Sequence, residues 1–169
     1  VKALKYNGYM PIEEINQKNM EYLQKGIVNL GKHIENMKKY NVPVMVCINK
    51  FSTDSDEEIE YIKDFASKYD VPVEISQAYE FGSEGTIEFA NKVVEILEKE
   101  ETNYMPLYSL DLTIEEKIEK ICKEIYGASD VEFLDEAKEN IKKAVKFGYE
   151  KLPVCIAKTP SSLTDDAKI

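Results

Sequence analysis

Apolar residues recur at alternating steps of three and four through Met20, Leu23, Ile27, Leu30, Ile34 and Met37, which places them on one face of a helix. The spacing predicts a helix from about Ile15 to Tyr40. A strand-like run follows directly, so core packing explains the stripe better than a coiled coil. That run, Val42-Pro43-Val44-Met45-Val46-Cys47-Ile48, is apolar at both alternations, as in a central parallel strand covered on both faces. Ser55 with Glu58 reads as a capping box opening a helix to about Tyr69. Val71 to Ile75 is a second strand. After a loop through Gly82 and Gly85, a helix runs from about Thr86 to Lys99, with Ile87, Ala90, Val94 and Leu97 along one side.

This strand–helix–strand–helix order predicts an α/β fold: a mostly parallel sheet with helices on both faces, a three-layer sandwich. The remainder is less regular. Glu101 to Asp111 connects to a second capping box, Thr113 with Glu116, and a helix to about Tyr126. Gly127 to Asp130 reads as a turn, Asp135 to Phe147 as a helix stopped by Gly148, and Leu152 to Ala157 as a last strand. The expected organisation is a single α/β domain over 1–169, with regular β/α units over 1–100 and a more helical extension over 101–169.

Composition narrows the partners. The chain has 169 residues and a formal charge of −10, which repels phosphate backbones and argues against nucleic acid. No apolar run approaches the ~20 residues of a membrane span, and no basic-then-apolar signal segment opens the chain. The start at Val1, without Met, points to a segment of something longer. Cys47, Cys122 and Cys155 are odd in number and lack CxxC spacing. Two of them lie inside apolar runs, which predicts reduced, buried thiols and a cytoplasmic setting. The single histidine, His33, lies in a strongly helical stretch, which argues against a Ser-His-Asp arrangement or a zinc site. The sequence shows no catalytic residue and no metal site.

In open α/β sheets ligands bind beyond the carboxyl ends of the strands. That rule selects the loops Asn49–Asp54, Gln77–Gly85 and Lys158–Ser162. In the first, Asn49-Lys50 resembles the base-reading element of GTPases. Ser52 occupies the place of that element's Asp, so guanine selectivity is not supported, though the Asn49 amide still offers a purine both donor and acceptor. The bland alternative is that Asn49 caps a turn and Phe51 fills the core. In the second loop, Tyr79 and Phe81 beside two glycines mark a place where backbone approaches a flat ligand, or only a turn needing positive φ. Phosphate at the following helix N-terminus is opposed by Glu84.

Four stretches then point to one family. Val1-Lys2-Ala3-Leu4-Lys5-Tyr6-Asn7-Gly8 is similar to a signature of the formate–tetrahydrofolate ligases, Arg-Ala-Leu-Lys-x-His/Asn-Gly-Gly. Asn49-Lys50-Phe51-Ser52-Thr53-Asp54 resembles that family's Asn-x-Phe-x-Thr-Asp loop, Tyr79 through Gly85 its aromatic-plus-glycine loop, and Pro153 to Thr159 a further stretch. The matches occur in family order along the chain. Lys2 stands where Arg is usual, Tyr9 replaces the second signature Gly, Ser52 stands where Pro is frequent, and Tyr79 holds a position associated with Trp.

The resemblance implies an enzyme that joins formate to N10 of tetrahydrofolate through formyl phosphate, splitting ATP to ADP and phosphate. It implies that Phe51 and Tyr79 clamp the pterin ring and that Asn49 lies against the nucleotide. ATP and tetrahydrofolate are then substrates, with no tightly bound cofactor. The family's Gly-Lys-Ser/Thr phosphate loop does not occur in these residues, so the chain is expected to be inactive alone, to need the remainder of its parent chain, and to come from a homo-oligomer. Two other readings stay open: a nucleotide-binding α/β module that reads a purine through Asn49, and a structural or oligomerisation domain.

Overall fold

The computed structural model describes residues 1–157. The chain forms two compact units, one spanning Val1–Tyr104 and the other beginning at Met105.

In the first unit, α1 (Lys2–Asn7) leads through a short 3-10 turn to α2 (Met20–Lys38), followed by β1 (Val46–Asn49), α3 (Asp56–Ser67), β2 (Val73–Ser76), the single turn α4 (Ala78–Phe81) and α5 (Ile87–Lys99). Strands β1 and β2 pair in parallel, Val46 opposite Val73 through Asn49 opposite Ser76, so the expected α/β class is found. The sheet is small: β1 and β2 are its only strands among the described residues.

The core is the one the periodicity predicts. Leu23 and Ile27 of α2 meet Ile59 and Ile62 of α3 and Ile48 of β1, all nearly inaccessible. Burying each such side chain contributes roughly 1.5–3 kcal/mol. Ile34, Ala66 and Val71 form a neighbouring cluster with Val44 and Val46 against it. Helix α2 starts at Met20 rather than near Ile15 because Asn19 caps it, Oδ1 accepting from the Glu21 and Tyr22 amides at 3.1 and 3.3 Å.

Two glycines set how α1 meets α2. A Cβ on Gly26 would fall 1.8 Å from the Leu4 carbonyl oxygen, and one on Gly8 would fall 1.9 Å from that of Tyr22. The helices therefore touch backbone to backbone, which only hydrogen at both positions allows. Tyr9, next in the chain, holds φ 72°, a left-handed conformation that costs a side-chain-bearing residue about 1–2 kcal/mol. Glycine is the residue the resemblance leads one to expect there.

Two expectations need correction. The run Val42–Ile48 is not covered on both faces: only Val46–Asn49 is laddered, and Cys47 and Asn49 are exposed while Ile48 is buried. The α2 and α3 side chains cover one alternation of β1, and no described element buries the other. Cys47 is exposed for that reason, Cys155 is exposed and Cys122 is half-buried; all three are free thiols. Partial desolvation holds the Cys47 and Cys122 thiols above their ordinary value, so neither is an activated nucleophile. The α5 residues Ile87, Ala90, Val94 and Leu97 lie along one side as expected, and that side faces solvent, while Phe89, Val93 and Ile96 are half-buried.

In the second unit, Thr113 and Glu116 form the expected capping box at the start of α6 (Ile114–Ile121), and a π-helical turn, Cys122–Tyr126, extends it to Gly127 at φ 72°. Helix α7 (Asp135–Lys146) ends at Phe147 and Gly148, the latter at φ 80°. No strand forms over Leu152–Ala157. Side chains take the backbone groups that a ladder would have used. The buried Lys117 ammonium donates to the Glu150 and Leu152 carbonyls at 2.5 and 3.2 Å. The Tyr108 hydroxyl accepts the Val154 amide at 2.9 Å and donates to its carbonyl at 3.1 Å. The loop Lys158–Ser162 lies outside the described residues.

Candidate functional site

The two strands end together. Asn49 closes β1 opposite Ser76, and the Lys50 amide donates to the Ser76 carbonyl at 2.9 Å. Both following loops leave from this carboxyl edge.

The first loop is held by Asp54. Its Oδ2 accepts the Phe51 amide at 2.9 Å, and its own amide donates to the Phe51 carbonyl at 2.9 Å. Asp54 is 7% exposed and its Oδ1 has no hydrogen-bond partner among the described residues. Phe51 is fixed at both backbone groups by this turn, and its ring is half-buried. Asn49 is exposed, and its side chain makes no hydrogen bond among the described residues.

The second loop closes on itself, the Gln77 amide donating to the Gly85 carbonyl at 2.9 Å. A Cβ on Gly85 would lie 2.5 Å from the Gln77 oxygen, and Gly82 adopts φ 58°, ψ −138°, a region close to glycine-only. Each glycine is thus required by the turn. The loop lifts Tyr79 into solvent at 83% exposure, with Phe81 also exposed.

The structure brings Phe51 and Tyr79 together: their ring centroids are 5.5 Å apart with planes inclined at 49°. The rings touch, so a flat molecule enters between them only if they part to roughly 7 Å, twice the ~3.5–4.0 Å carbon contact distance. Lys2, from α1, places its ammonium 4.6 Å from the Phe51 centroid, within cation–π range.

Just behind this edge lies a polar knot that the sequence reading missed. Lys5 and Glu58 are both fully buried and paired at 3.0 Å. Lys5 also donates to the Gln17 carbonyl at 2.7 Å. Glu58 accepts from the Asn19 amide at 3.0 Å and from the Ser55 amide and hydroxyl at 3.1 and 2.8 Å. Burial alone raises the Glu58 carboxyl, but these hydrogen bonds, with that from Lys5, bring it below its ordinary value. The capping box was legible from the spacing of Ser55 and Glu58. Lys5, distant in sequence, was legible only as part of the Val1–Gly8 signature and not as the partner of Glu58.

A second concavity, about 470 Å³, lies at the opposite end of β2 beside Val71, Pro72 and Ile96. Within its lining Glu95 pairs with Lys92 and Lys99 at 2.9 and 2.8 Å, and Asp70 and Glu100 add further negative charge. Among the described residues no cluster of His, Cys, Asp or Glu suits a metal ion, and no helix is long and apolar enough to cross a membrane.

The chain is of the α/β class, in which ligands bind beyond the carboxyl edge of the parallel strands, and its two loop aromatics meet at that edge. Residues 1–169 match the profile of the Formate–tetrahydrofolate ligase family, and the chain belongs to that family. It is 46% identical over 168 residues to a curated formate–tetrahydrofolate ligase of Petrotoga mobilis (strain DSM 10674 / SJ95). That alignment covers 99% of this chain and 30% of the relative's length.

Proposed function

We propose that this chain supplies the folate side of a ligase that makes 10-formyltetrahydrofolate from formate, tetrahydrofolate and ATP by way of formyl phosphate. Phe51 and Tyr79 take the two faces of the pterin ring. The observation that carries this reading is their meeting: two aromatics 28 positions apart, on loops after consecutive parallel strands, approach to 5.5 Å at the edge where such folds bind ligands. Each aromatic–ring stack is worth roughly 1–3 kcal/mol by alanine substitution, so the pair supplies a substantial part of folate affinity.

ATP enters this scheme as a substrate. The chain contains no Gly-Lys-Ser/Thr sequence, and its lysines near the site do not form a free cluster: Lys50 pairs with Asp56 at 3.1 Å, Lys5 with Glu58, and Lys2 lies against the Phe51 ring. Phosphoryl transfer depends on such cationic clamps, so the 169 residues alone bind folate without transferring formyl groups. The complete ligase is a cytoplasmic homo-oligomer on this reading. Asn49 supports a second reading, in which its uncommitted amide at the same edge meets a purine.

The chain has no Trp, so its tyrosine emission is readable. Tetrahydrofolate should quench it with saturation, and Tyr79→Ala should weaken that binding about tenfold. Saturation by ATP with no response to tetrahydrofolate would replace this reading with the purine one.

A further inference from the structure

We propose that Lys2 is a positioning residue for the stacking site: it holds the Phe51 ring from one face, making Phe51 the fixed jaw and Tyr79 the moving one. The inference deepens the pterin reading above and rests on it. Lys2 is half-buried and has no ion-pair or hydrogen-bond partner among the described residues; its ammonium lies 4.6 Å from the Phe51 ring centroid, and the other charge it feels, the Val1 ammonium, is of the same sign. A lysine withdrawn from water without a carboxylate is costly unless another group answers its charge, and the ring's negative face does so.

The consequence for the ligand is directional. With an ammonium over one face of Phe51, a planar ring can stack only on the other. Phe51 cannot yield to admit it, because Asp54 fixes its backbone on both sides and Lys2 caps its ring. Tyr79 can. It is 83% exposed, its hydroxyl has no partner among the described residues, and its loop turns on Gly82 at φ 58°. Opening from 5.5 Å therefore falls to the Tyr79 loop. Any residue that keeps a cation at position 2 preserves the arrangement, and a neutral isostere does not.

The test uses the 169-residue chain with Lys2→Met and Lys2→Arg, read by ring contacts in NMR and by tetrahydrofolate titration. K2M keeps the side chain's length and removes its charge. The unmodified chain should show the Lys2 ε-methylene shifted upfield by the Phe51 ring, and K2M should lose the Phe51–Tyr79 contacts, leave the melting midpoint in place, and weaken tetrahydrofolate about three- to tenfold. K2R should restore both contacts and affinity. Unchanged Phe51–Tyr79 contacts and affinity within about twofold in K2M would overturn the proposal, as would a K2R variant no better than K2M. Absence of tetrahydrofolate binding by the unmodified chain would sink the pterin reading, while the ring contacts would still decide the role of Lys2.

Discussion

The Lys5–Glu58 knot and the Phe51–Tyr79 pair are neighbours in sequence and opposites in physics. Glu58 lies in the first turn of α3, four positions after Asp54 closes the aromatic loop. The knot is fully buried, and Glu58 has an answering donor at both oxygens. The ring pair is open on one side, with Tyr79 in water and its hydroxyl unpartnered among the described residues, while Lys2 and Asp54 hold Phe51 on the other. A buried ion pair is a modest source of net stability but is costly to break singly. The comparison teaches that the chain packs its framework tightly up to the edge of the sheet and leaves one side of the edge itself exposed. That division is what a ligand site requires.

The largest expected effect comes from breaking the knot. Lys5→Ala should cost about 3–5 kcal/mol in urea unfolding, because the Glu58 charge is left buried and unpaired. Glu58→Ala should cost at least as much, since it also removes the acceptor for the Ser55 amide in the α3 capping box. Losses under about 1 kcal/mol for both would erase the contrast with the rings. Gly26→Ala should follow at about 3 kcal/mol, the upper end of the overpacking range, because its Cβ would overlap the Leu4 carbonyl at 1.8 Å. A stable Gly26→Ala variant would show that α1 can slide on α2.

The knot also predicts a pH dependence. The folded Glu58 pKa lies below its ordinary 4.5, so the native state favours the ionised form. The stabilisation is present in full above about pH 4.5 and is lost as pH falls through the folded value. Denaturant midpoints measured between pH 6 and pH 3 should drop at the acid end, and Glu58→Gln should flatten that drop. An unchanged slope in the variant would assign acid sensitivity elsewhere.

Much of this framework is written in local patterns. The α2 stripe, both capping boxes, the parallel order and the stops at Gly127 and Gly148 follow from spacing within one or two turns, and the structure reproduces them. The meeting of Phe51 and Tyr79 followed from topology, because loops after consecutive parallel strands leave from one edge. What the sequence hid were contacts between distant segments. Lys5 reads as one more helical lysine until α1 is laid against α3. The apolar character of Leu152–Ala157 suggested a strand, but a strand needs a ladder partner, and Lys117 and Tyr108 satisfy its backbone instead. The exposure of Cys47 and of the α5 stripe is equally unreadable from composition, because it depends on what does not cover them.

Two smaller effects sharpen the contrast. Tyr9→Gly should stabilise the chain by roughly 0.5–1 kcal/mol, the relief of left-handed strain less the entropy of glycine; a loss of stability would mean the exposed Tyr9 ring packs usefully. Tyr79→Ala should change stability by under about 0.5 kcal/mol, as expected of a ring in solvent.

The most direct measurement is of contacts between tetrahydrofolate and the two rings. With the chain saturated by tetrahydrofolate, intermolecular NOEs should connect the pterin to both Phe51 and Tyr79, and the direct Phe51–Tyr79 contacts seen at 5.5 Å should vanish as the rings part. Bound tetrahydrofolate whose pterin touches neither ring, or a ring pair that stays closed at saturation, would contradict the account.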